Sequence, residues 1–516
     1  MRSLLLFFIM GCFSVNGFSQ TLSNPDSSLQ AILSSLGGTH LHLQQATDAA
    51  LKNATSVRKA EAAWLASAGV VRRESGAFDP ALFYNVNYLE QDIPTASYFS
   101  GAPVLSTQQT TSSGGLRMNL AIGTQLQVAL NTVRLGTNSS FASLNPEYDA
   151  FTSISVRQPL LGGLWVSGRK QLTTAERELD AQKARYDQEV LFVSSEVELS
   201  YWDLYAAERD YGVQRLTVDR AVAFLDEANL REHAGLVGPS EVASAKSFLA
   251  EQQLILLDRE EALGHQSDAL ASLIGIRPDT GSVRFVASDD PPADFPLDSV
   301  EILVRQAIVN NLDLQAAQHD IDAAQALASA ASWEALPSVN FVGSLGGSGL
   351  AGSPQNVIFN GDTLRTTREG AFGDAVTQAV HRDYPNWSVG VEVSIPIGLR
   401  SGLGEKDRLE AQVLDAQETY IEKSRSLEES VRAAYRELSN GKNRFKVARD
   451  GVDATGEQVR IGLIEFRNGR TNAFELTRLG EDFGAAQSRY SEALVHTAKA
   501  AATLKELTSG AYAGGR

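Results

Sequence analysis

Two proline-free stretches, Lys170 to about Leu230 and Lys406 to about Ile464, constrain this chain more than anything else in it. Both are highly charged, and at about 1.5 Å per residue a helix of roughly sixty residues makes a rod on the order of 90 Å. In the first, Tyr186, Val190, Val193, Val197, Tyr201 and Leu204 step by four and three, which is coiled-coil spacing. Each stretch ends at a glycine-containing turn and is followed by a returning helix, Ser240 to Ile274 or Asn472 to Leu507. The expectation is two very long helical hairpins, and no ordinary globular core calls for them.

The hairpins belong to a duplication. "ALKN" at Ala50–Asn53 matches "AIVN" at Ala307–Asn310, and the same shift brings Pro80 onto Pro337. "LDAQ" recurs at Leu179–Gln182 and Leu414–Gln417, and Tyr201 and Leu204 return as Tyr435 and Leu438. "EALGH" at Glu261–His265 returns as "EALVH" at Glu492–His496. Each copy reads as helix, strand region, long helix, turn, helix, with opening helices near Leu43–Gly76 and Ser299–Trp333. The expected organisation is a signal peptide over 1–19, a linker over 20–40, a first repeat over 41–275, a Pro/Asp-rich linker over 276–297, a second repeat over 298–508 and a tail over 509–516. The hairpin tips fall near 235–240 and 467–472.

Strand signals occupy 81–158 in the first repeat and 338–396 in the second. The clearest alternates Trp387, Val389, Val391, Val393 and Ile395 with Ser388, Gly390, Glu392 and Ser394, the period of a two-faced strand. Other pieces are Ala81–Glu90, Gly115–Ile122, Gln125–Val133, Phe151–Gln158 and Ser338–Leu345. The Ser/Thr/Gly-rich segment Asp92–Ser113 reads as an exposed loop, as does the segment running to about Asp383. A strand of about nine residues crosses a bilayer when tilted, and spanning strands must close into a barrel because every backbone polar group needs a partner. About four spanning strands per chain enclose nothing, since barrels begin at about eight. Three chains of four strands would suffice. A soluble sheet, one face on a core and one on solvent, is the competing interpretation of the same alternation.

The N-terminus favours the membrane. "MRSLLLFFIMGCFSVNGFSQ" places Arg2 before an apolar Leu4–Phe13 core and small residues at Gly17 and Ser19, the layout of a cleaved secretory signal. "IMGC" also fits a lipoprotein signal, with Cys12 the candidate for lipidation. Cys12 is the sole cysteine of the chain, so cleavage after Ser19 leaves no disulfide or thiol chemistry. A formal charge of −17 argues against nucleic acid, which needs concentrated Lys and Arg. A mean hydropathy of −0.15 is too polar for a helical membrane protein, and no run of about 18 apolar residues occurs.

With these features in place, the sequence resembles the TolC-like outer-membrane efflux family over nearly the whole expected mature chain. "QPLLGG" (Gln158–Gly163) and "IPIGLRSG" (Ile395–Gly402) look like its strand-to-helix junctions. "LHLQQATDAALKN" (Leu41–Asn53) and "DSVEILVRQAIVNN" (Asp298–Asn311) look like its duplicated opening helices, and "AGLVGPSEVASA" (Ala234–Ala245) and "FRNGRTNAFELTR" (Phe466–Arg478) like its two periplasmic turns. The resemblance implies a mixed α and β, mostly helical fold: a homotrimeric β-barrel in the outer membrane of a Gram-negative bacterium, continued by an α-helical barrel through the periplasm. It implies a passive export duct of a tripartite efflux or type I secretion system. Its partners would be a periplasmic adaptor (membrane fusion) protein, an inner-membrane RND or ABC transporter and outer-membrane lipid.

Site residues follow. Gly235, Gly238 and Gly469 permit the tight reversals. Ser240, and Thr471 or Asn472, are candidate caps of the returning helices. Leu236 and Val237 leave apolar surface at an exposed turn, which the resemblance makes an adaptor contact together with Arg470; pinning of the hairpin ends is the alternative role. Glu475 falls where the family places a carboxylate that narrows the periplasmic entrance, and Arg478, where the family has a second acid, is positioned to pair with it. Trp387, Val389, Val391, Val393 and Ile395 are expected to face lipid. His40 and His42 have no recognisable carboxylate or cysteine partner for a metal, and there is no nucleophile elbow, phosphate loop or dinucleotide fingerprint. An enzyme, a cofactor and a metal site are therefore not expected. Two rival functions are a soluble periplasmic coiled-coil adaptor or scaffold, and an autonomous diffusion pore for small nutrients.

Overall fold

The computed structural model describes residues 27–97, 100–163, 165–292, 295, 297–359, 361–471 and 473–512. The expected signal peptide with Cys12, and Asn472, lie outside the described residues. In chain order the elements are α1 (Ser27–Ser34), β1 (Thr39–Leu41), α2 (Leu43–Asn53), α3 (Thr55–Ser75), β2 (Ala81–Pro94), β3 (Val104–Asn119), β4 (Gln125–Thr137), β5 (Leu144–Leu161), α4 (Trp165–Gly168), α5 (Lys170–His233) and α6 (Pro239–Ile274). There follow β6 (Phe285–Ala287), α7 (Val300–Asn310), α8 (Leu312–Glu334), β7 (Ser338–Pro354), β8 (Val357–Phe359), β9 (Asp362–Leu364), α9 (Phe372–His381), β10 (Tyr384–Ser394), α10 (Arg400–Arg467) and α11 (Ala473–Leu507).

Both repeats open on a helix with the same interruption. The continuous helices expected over Leu43–Gly76 and Ser299–Trp333 are each broken, at Ala54 (φ −58°, ψ 126°) and at Asn311 (φ −63°, ψ 123°). Extended dihedrals at one residue end a helix and start another. The Asn311 side chain accepts the Leu314 N–H at 3.0 Å and caps the new helix.

Contacts divide the chain into two compact units. The first joins the described residues up to Ala54, Leu191–Val304 and those from Ser430 on. Its core is a row of side chains one helical turn apart on α5, with Val193, Val197, Tyr201 and Leu204 all buried, the face that the three-and-four spacing marked out. The short strands β1 and β6 pair in parallel beside them and tie the start of one repeat to the start of the other. Tyr201 organises this join. Its hydroxyl donates to the Leu41 carbonyl at 2.9 Å and accepts the Ser288 and Asp289 N–H groups at 2.9 and 3.0 Å. Burial pushes the phenol well above its ordinary range. Asp289 in turn takes the Leu43 N–H at 2.7 Å and the His42 ring at 3.0 Å. His42 therefore does have a carboxylate partner, brought from 247 positions away. Among the described residues no cluster of His, Cys, Asp and Glu is arranged to hold a metal ion.

The second unit, Thr55–Val190 and Arg305–Glu429, contains a six-stranded antiparallel sheet of order β10-β7-β5-β4-β3-β2. About four strands were expected; the difference lies in the first repeat, which supplies two hairpins. The segment Asp92–Ser113, expected as a loop, ends β2 and forms most of β3. Its serines and threonines from Ser106 on are strand residues with neighbours across the sheet, as in the 2.7 Å contact of the Ser112 and Thr132 hydroxyls. Gly115 fits because a Cβ there would meet the Val128 carbonyl oxygen at 2.1 Å.

The second expected loop is also structured. β7 continues to Pro354, and the helix α9 precedes β10. On α9, Ala375 and Ala379 pack on Ala150 and Ala351 of the sheet. The fit depends on glycine: a Cβ on Gly349 would come within 2.0 Å of the Ala375 carbonyl oxygen. Elsewhere in the unit, Trp64 of α3 stacks on Tyr186 of α5 at 5.6 Å with Lys183 over its ring.

Glu208, in the first unit, is a buried carboxyl. Burial pushes its carboxyl up to about 8, against the opposing hydrogen bond from the Ala287 N–H and the charge of Arg284. The folded state then binds more protons than the unfolded state between about pH 4.5 and 8, so this group's contribution is complete below that window and declines across it. Glu208→Gln keeps an acceptor for Ala287 and removes the titration. Thermal denaturation should show the variant gaining on the parent by several degrees from pH 5 to pH 8; a pH-independent difference contradicts the assignment.

Candidate functional site

The register of the sheet sorts its side chains into two unlike faces. Leu82, Leu116, Val128, Ile154, Leu345 and Trp387 stand directly opposite one another in succession, one from each of the six strands. All six are exposed, Leu82 at 83% and Trp387 at 73%. Fully burying such side chains is worth roughly 1.5–3 kcal/mol each, so the row withholds on the order of 10 kcal/mol, as much as many domains' whole stability. Tyr84, Val86, Leu126, Val156, Val389, Val391 and Val393 extend the same face. Ile395 lies just beyond the end of β10 and is exposed too.

The other face is polar. Asn85, Ser113 and Asn131 follow one another across β2, β3 and β4, and Arg117, Gln127, Ser155, Ser344 and Ser388 make a second row. Glu392 lies on this face and is paired with Arg157 at 2.8 Å, which removes the cost of a lone carboxylate there. The alternation of β10 was legible; its five partners in the apolar row were not, because only pairing sets the register. Among the described residues no helix is long and apolar enough to cross a membrane, a criterion that says nothing of strands.

The two helical turns of the first unit are built alike. After α5, Gly235 takes φ +70°, its N–H bonding the Glu232 carbonyl at 2.8 Å and the Leu236 N–H reaching back to Arg231 at 2.9 Å. After α10, Gly469 takes φ +68°, with Gly469 N–H to Phe466 at 3.0 Å and Arg470 N–H to Glu465 at 2.9 Å. Both are left-handed glycine caps with the long 6→1 bond, in which the residue after the glycine commonly packs back on the helix. Leu236 does not: it is 74% exposed. Arg470 occupies the same place in the second turn and is exposed as well. Val237 and Thr471 are half-buried.

Two expectations at the turns change. Gly238 has φ −88° and is itself the N-cap of α6, with Pro239 in the first helical position; Ser240 therefore lies inside the helix and does not cap it. The turn needs Gly235 and Gly469 for their backbone and not Gly238. Glu475 and Arg478 do meet, through two guanidinium hydrogen bonds. These hold the Glu475 carboxyl below its ordinary range, and Asp482 lies 3.9 Å from the same guanidinium.

Two residues at the turns went unremarked in the sequence. Phe474, in the first turn of α11, is 74% exposed, a second large apolar group beside a turn; its signal was an aromatic within the turn motif. Arg231 donates to the Phe466 carbonyl at 3.0 Å and stacks its guanidinium 3.9 Å from that ring, fastening the end of α5 to the end of α10. Nothing in the sequence announced this pair, whose members lie 235 positions apart. A mainly apolar cavity of about 360 Å³, lined by Phe224, Phe248, Leu463, Phe466 and Leu476 among others, opens among α5, α6, α10 and α11.

Residues 303–510 match the family model described as outer membrane efflux protein. The resemblance to the TolC-like outer-membrane efflux family holds. Solved channels share the fold over both repeats. The outer membrane protein VceC of Vibrio cholerae is 14% identical, with a TM-score of 0.62 over 91% of this chain and 97% of its own. The open-state MtrE outer membrane channel of Neisseria gonorrhoeae is 16% identical, with a TM-score of 0.61 over 91% and 89%. The CmeC outer membrane channel of Campylobacter jejuni is 14% identical, with a TM-score of 0.61 over 91% and 86%. No curated protein matches the sequence. At these identities the likeness establishes the shared fold, while the efflux-protein model rests on the second repeat's own sequence.

The turn geometry separates three glycines by cost. Gly235 and Gly469 have open space where a Cβ would go, so alanine there meets only the left-handed backbone penalty of about 1–2 kcal/mol. Gly238→Ala meets neither a neighbour nor strain. Denaturant unfolding should show Gly235→Ala and Gly469→Ala each destabilised by about 1 kcal/mol and Gly238→Ala unchanged; equal effects at all three would refute the distinction.

Proposed function

We propose that the chain is one protomer of a passive export duct in a Gram-negative outer membrane, assembled from three copies and opened by its partners. The observation that carries this reading is the apolar row crossing every strand of the main sheet opposite a polar face. Lipid on one side and a water-filled lumen on the other is the environment in which neither face is misplaced. The family match and the likeness to outer membrane channels support the same conclusion. A soluble coiled-coil adaptor is disfavoured, because such a protein would hold that row in water.

On this reading the helical turns face the periplasm and receive an adaptor, which couples the duct to an inner-membrane transporter of the RND or ABC type. Leu236 and Phe474 are the apolar anchors, with Val237, Arg470 and the capping glycines shaping the surface beside them. An adaptor offering a helical hairpin with small apolar side chains fits such knobs. Glu475 belongs to the entrance, where its pairing with Arg478 softens mutual repulsion among three copies. The duct supplies no driving force of its own; cargo moves when the transporter loads it.

Membrane extraction tests the core of the proposal. The protein should stay with outer membranes through high salt and carbonate and be released only by detergent, as a species of three chains; release by carbonate as a monomer overturns it. For the turns, Leu236→Asp and Phe474→Asp should each lower export of a transported compound by about tenfold or more, the effect of losing a buried interface anchor of some 1.4 kcal/mol or above. Amounts of assembled protein in the membrane should not change. Wild-type export by the double variant would remove the turns from the docking surface, and steady conductance of the purified protein without any adaptor would favour a nutrient pore.

A further inference from the structure

We propose that the barrel wall has eighteen strands, six from each of three copies, and that it closes where β2 of one copy pairs antiparallel with β10 of the next. This rests on the duct reading above and adds the seam, the strand number and hence the bore. Within one chain the six strands run up and down without interruption, so the outermost two, β2 and β10, point in opposite directions. Setting the edge of one copy against the edge of another continues the antiparallel alternation around the ring.

The faces agree as well. Leu82, Tyr84, Val86 and Tyr88 of β2 lie on the same side of the sheet as Trp387, Val389, Val391 and Val393 of β10, and Asn85 and Asn87 lie on the side of Ser388 and Glu392. Pairing the edges therefore joins apolar band to apolar band and lumen to lumen.

Over most of their length neither edge is protected as the edges of soluble sheets are, the charges and prolines being confined to Glu90, Asp92 and Pro94 at the end of β2 and Pro385 at the start of β10, apart from Glu392. Ala81–Leu89 contains no charge and no proline, and from Asn386 to Ser394 the one charge is Glu392, which faces inward to Arg157. The first hairpin is not an appendage, since β3 pairs with β4 from Thr107 to Asn119 and carries Leu116, a member of the apolar row, and Met118 beside it into the band. Omitting β2 and β3 would give twelve strands from three copies, but it would leave β4 to form the seam and the exposed Leu82, Tyr84 and Val86 without lipid. Barrel diameter grows roughly linearly with strand number, so eighteen strands give a bore about one and a half times that of twelve, in the range where side chains leave an open aqueous channel.

Cysteine pairs on the lumen side locate the seam. The full-length gene, with Cys12→Ser in case the leader is retained, would carry Ser388→Cys on β10 together with Phe83→Cys, Asn85→Cys or Asn87→Cys on β2, in three variants that scan the register. A parallel set would pair Ser388→Cys with Gln127→Cys, Ala129→Cys or Asn131→Cys on β4. Each variant is extracted in detergent, its mass measured by light scattering, and treated with a short bis-maleimide before denaturing electrophoresis. The expected result is a three-chain particle in which at least one β2–β10 variant yields covalent trimer, while no β4–β10 variant links chains. Linkage through β4 and not β2 overturns the eighteen-stranded wall and leaves the duct intact. A three-chain particle linked by neither set overturns the seam, and a two-chain particle linked through β2 overturns the count. An unlinked monomer would defeat the duct reading together with this one.

Discussion

Backbone hydrogen bonding in an apolar solvent is the constraint on which this structure turns. A sheet whose outer face carries Leu82, Leu116, Val128, Ile154, Leu345 and Trp387 in one line loses little by entering hydrocarbon and much by staying in water. In hydrocarbon, however, an open strand edge is prohibitive, because its N–H and C=O groups have no water to bind. On the proposed reading the two faces draw the sheet into lipid, and the two edges then require other copies. The polar face, with Glu392 paired to Arg157, would become a lining only through closure of those edges.

Duplication solves the long helical part twice with the same devices. The breaks at Ala54 and Asn311 have nearly the same dihedrals, and the turns after α5 and α10 use the same left-handed glycine and the same reach-back bond. The copies differ at the turn surface and in the sheet. Leu236 stands where the second turn has Arg470, and the first repeat spends two hairpins on the sheet where the second spends one. The buried junction around Tyr201, where β1 and β6 lie side by side, is where the two copies are fastened into one unit.

The helical hairpins, the duplication and the alternation of β10 could be read from residues alone, because each is a local periodicity. The glycine turns were legible too, although only the backbone distinguishes Gly235 and Gly469, with their positive φ, from Gly238, a cap in ordinary extended geometry. What misled was composition. Asp92–Ser113 is rich in serine, threonine and glycine, and in isolation such residues favour turns; in the sheet Thr107–Ser113 pair with β2 on one side and β4 on the other, and a strand is what they form. The helix α9 was hidden for a similar reason, since its seat is a set of small residues, Ala150, Gly349 and Ala351, whose value lies in what they leave out.

Sequence by itself determined the periodic elements: which segments are helical, where they reverse, that the chain is written twice, and that at least one strand has an apolar and a polar face. Tertiary structure alone decided how many strands share a sheet, which apolar residues fall into one row, and which distant groups meet, as Arg231 does with Phe466 and His42 with Asp289. The physical reason is range. Helix and strand periods arise from neighbours along the chain, whereas strand register and buried pairing arise from segments far apart in sequence, and a shift of one residue in any of them would move every side chain to the opposite face.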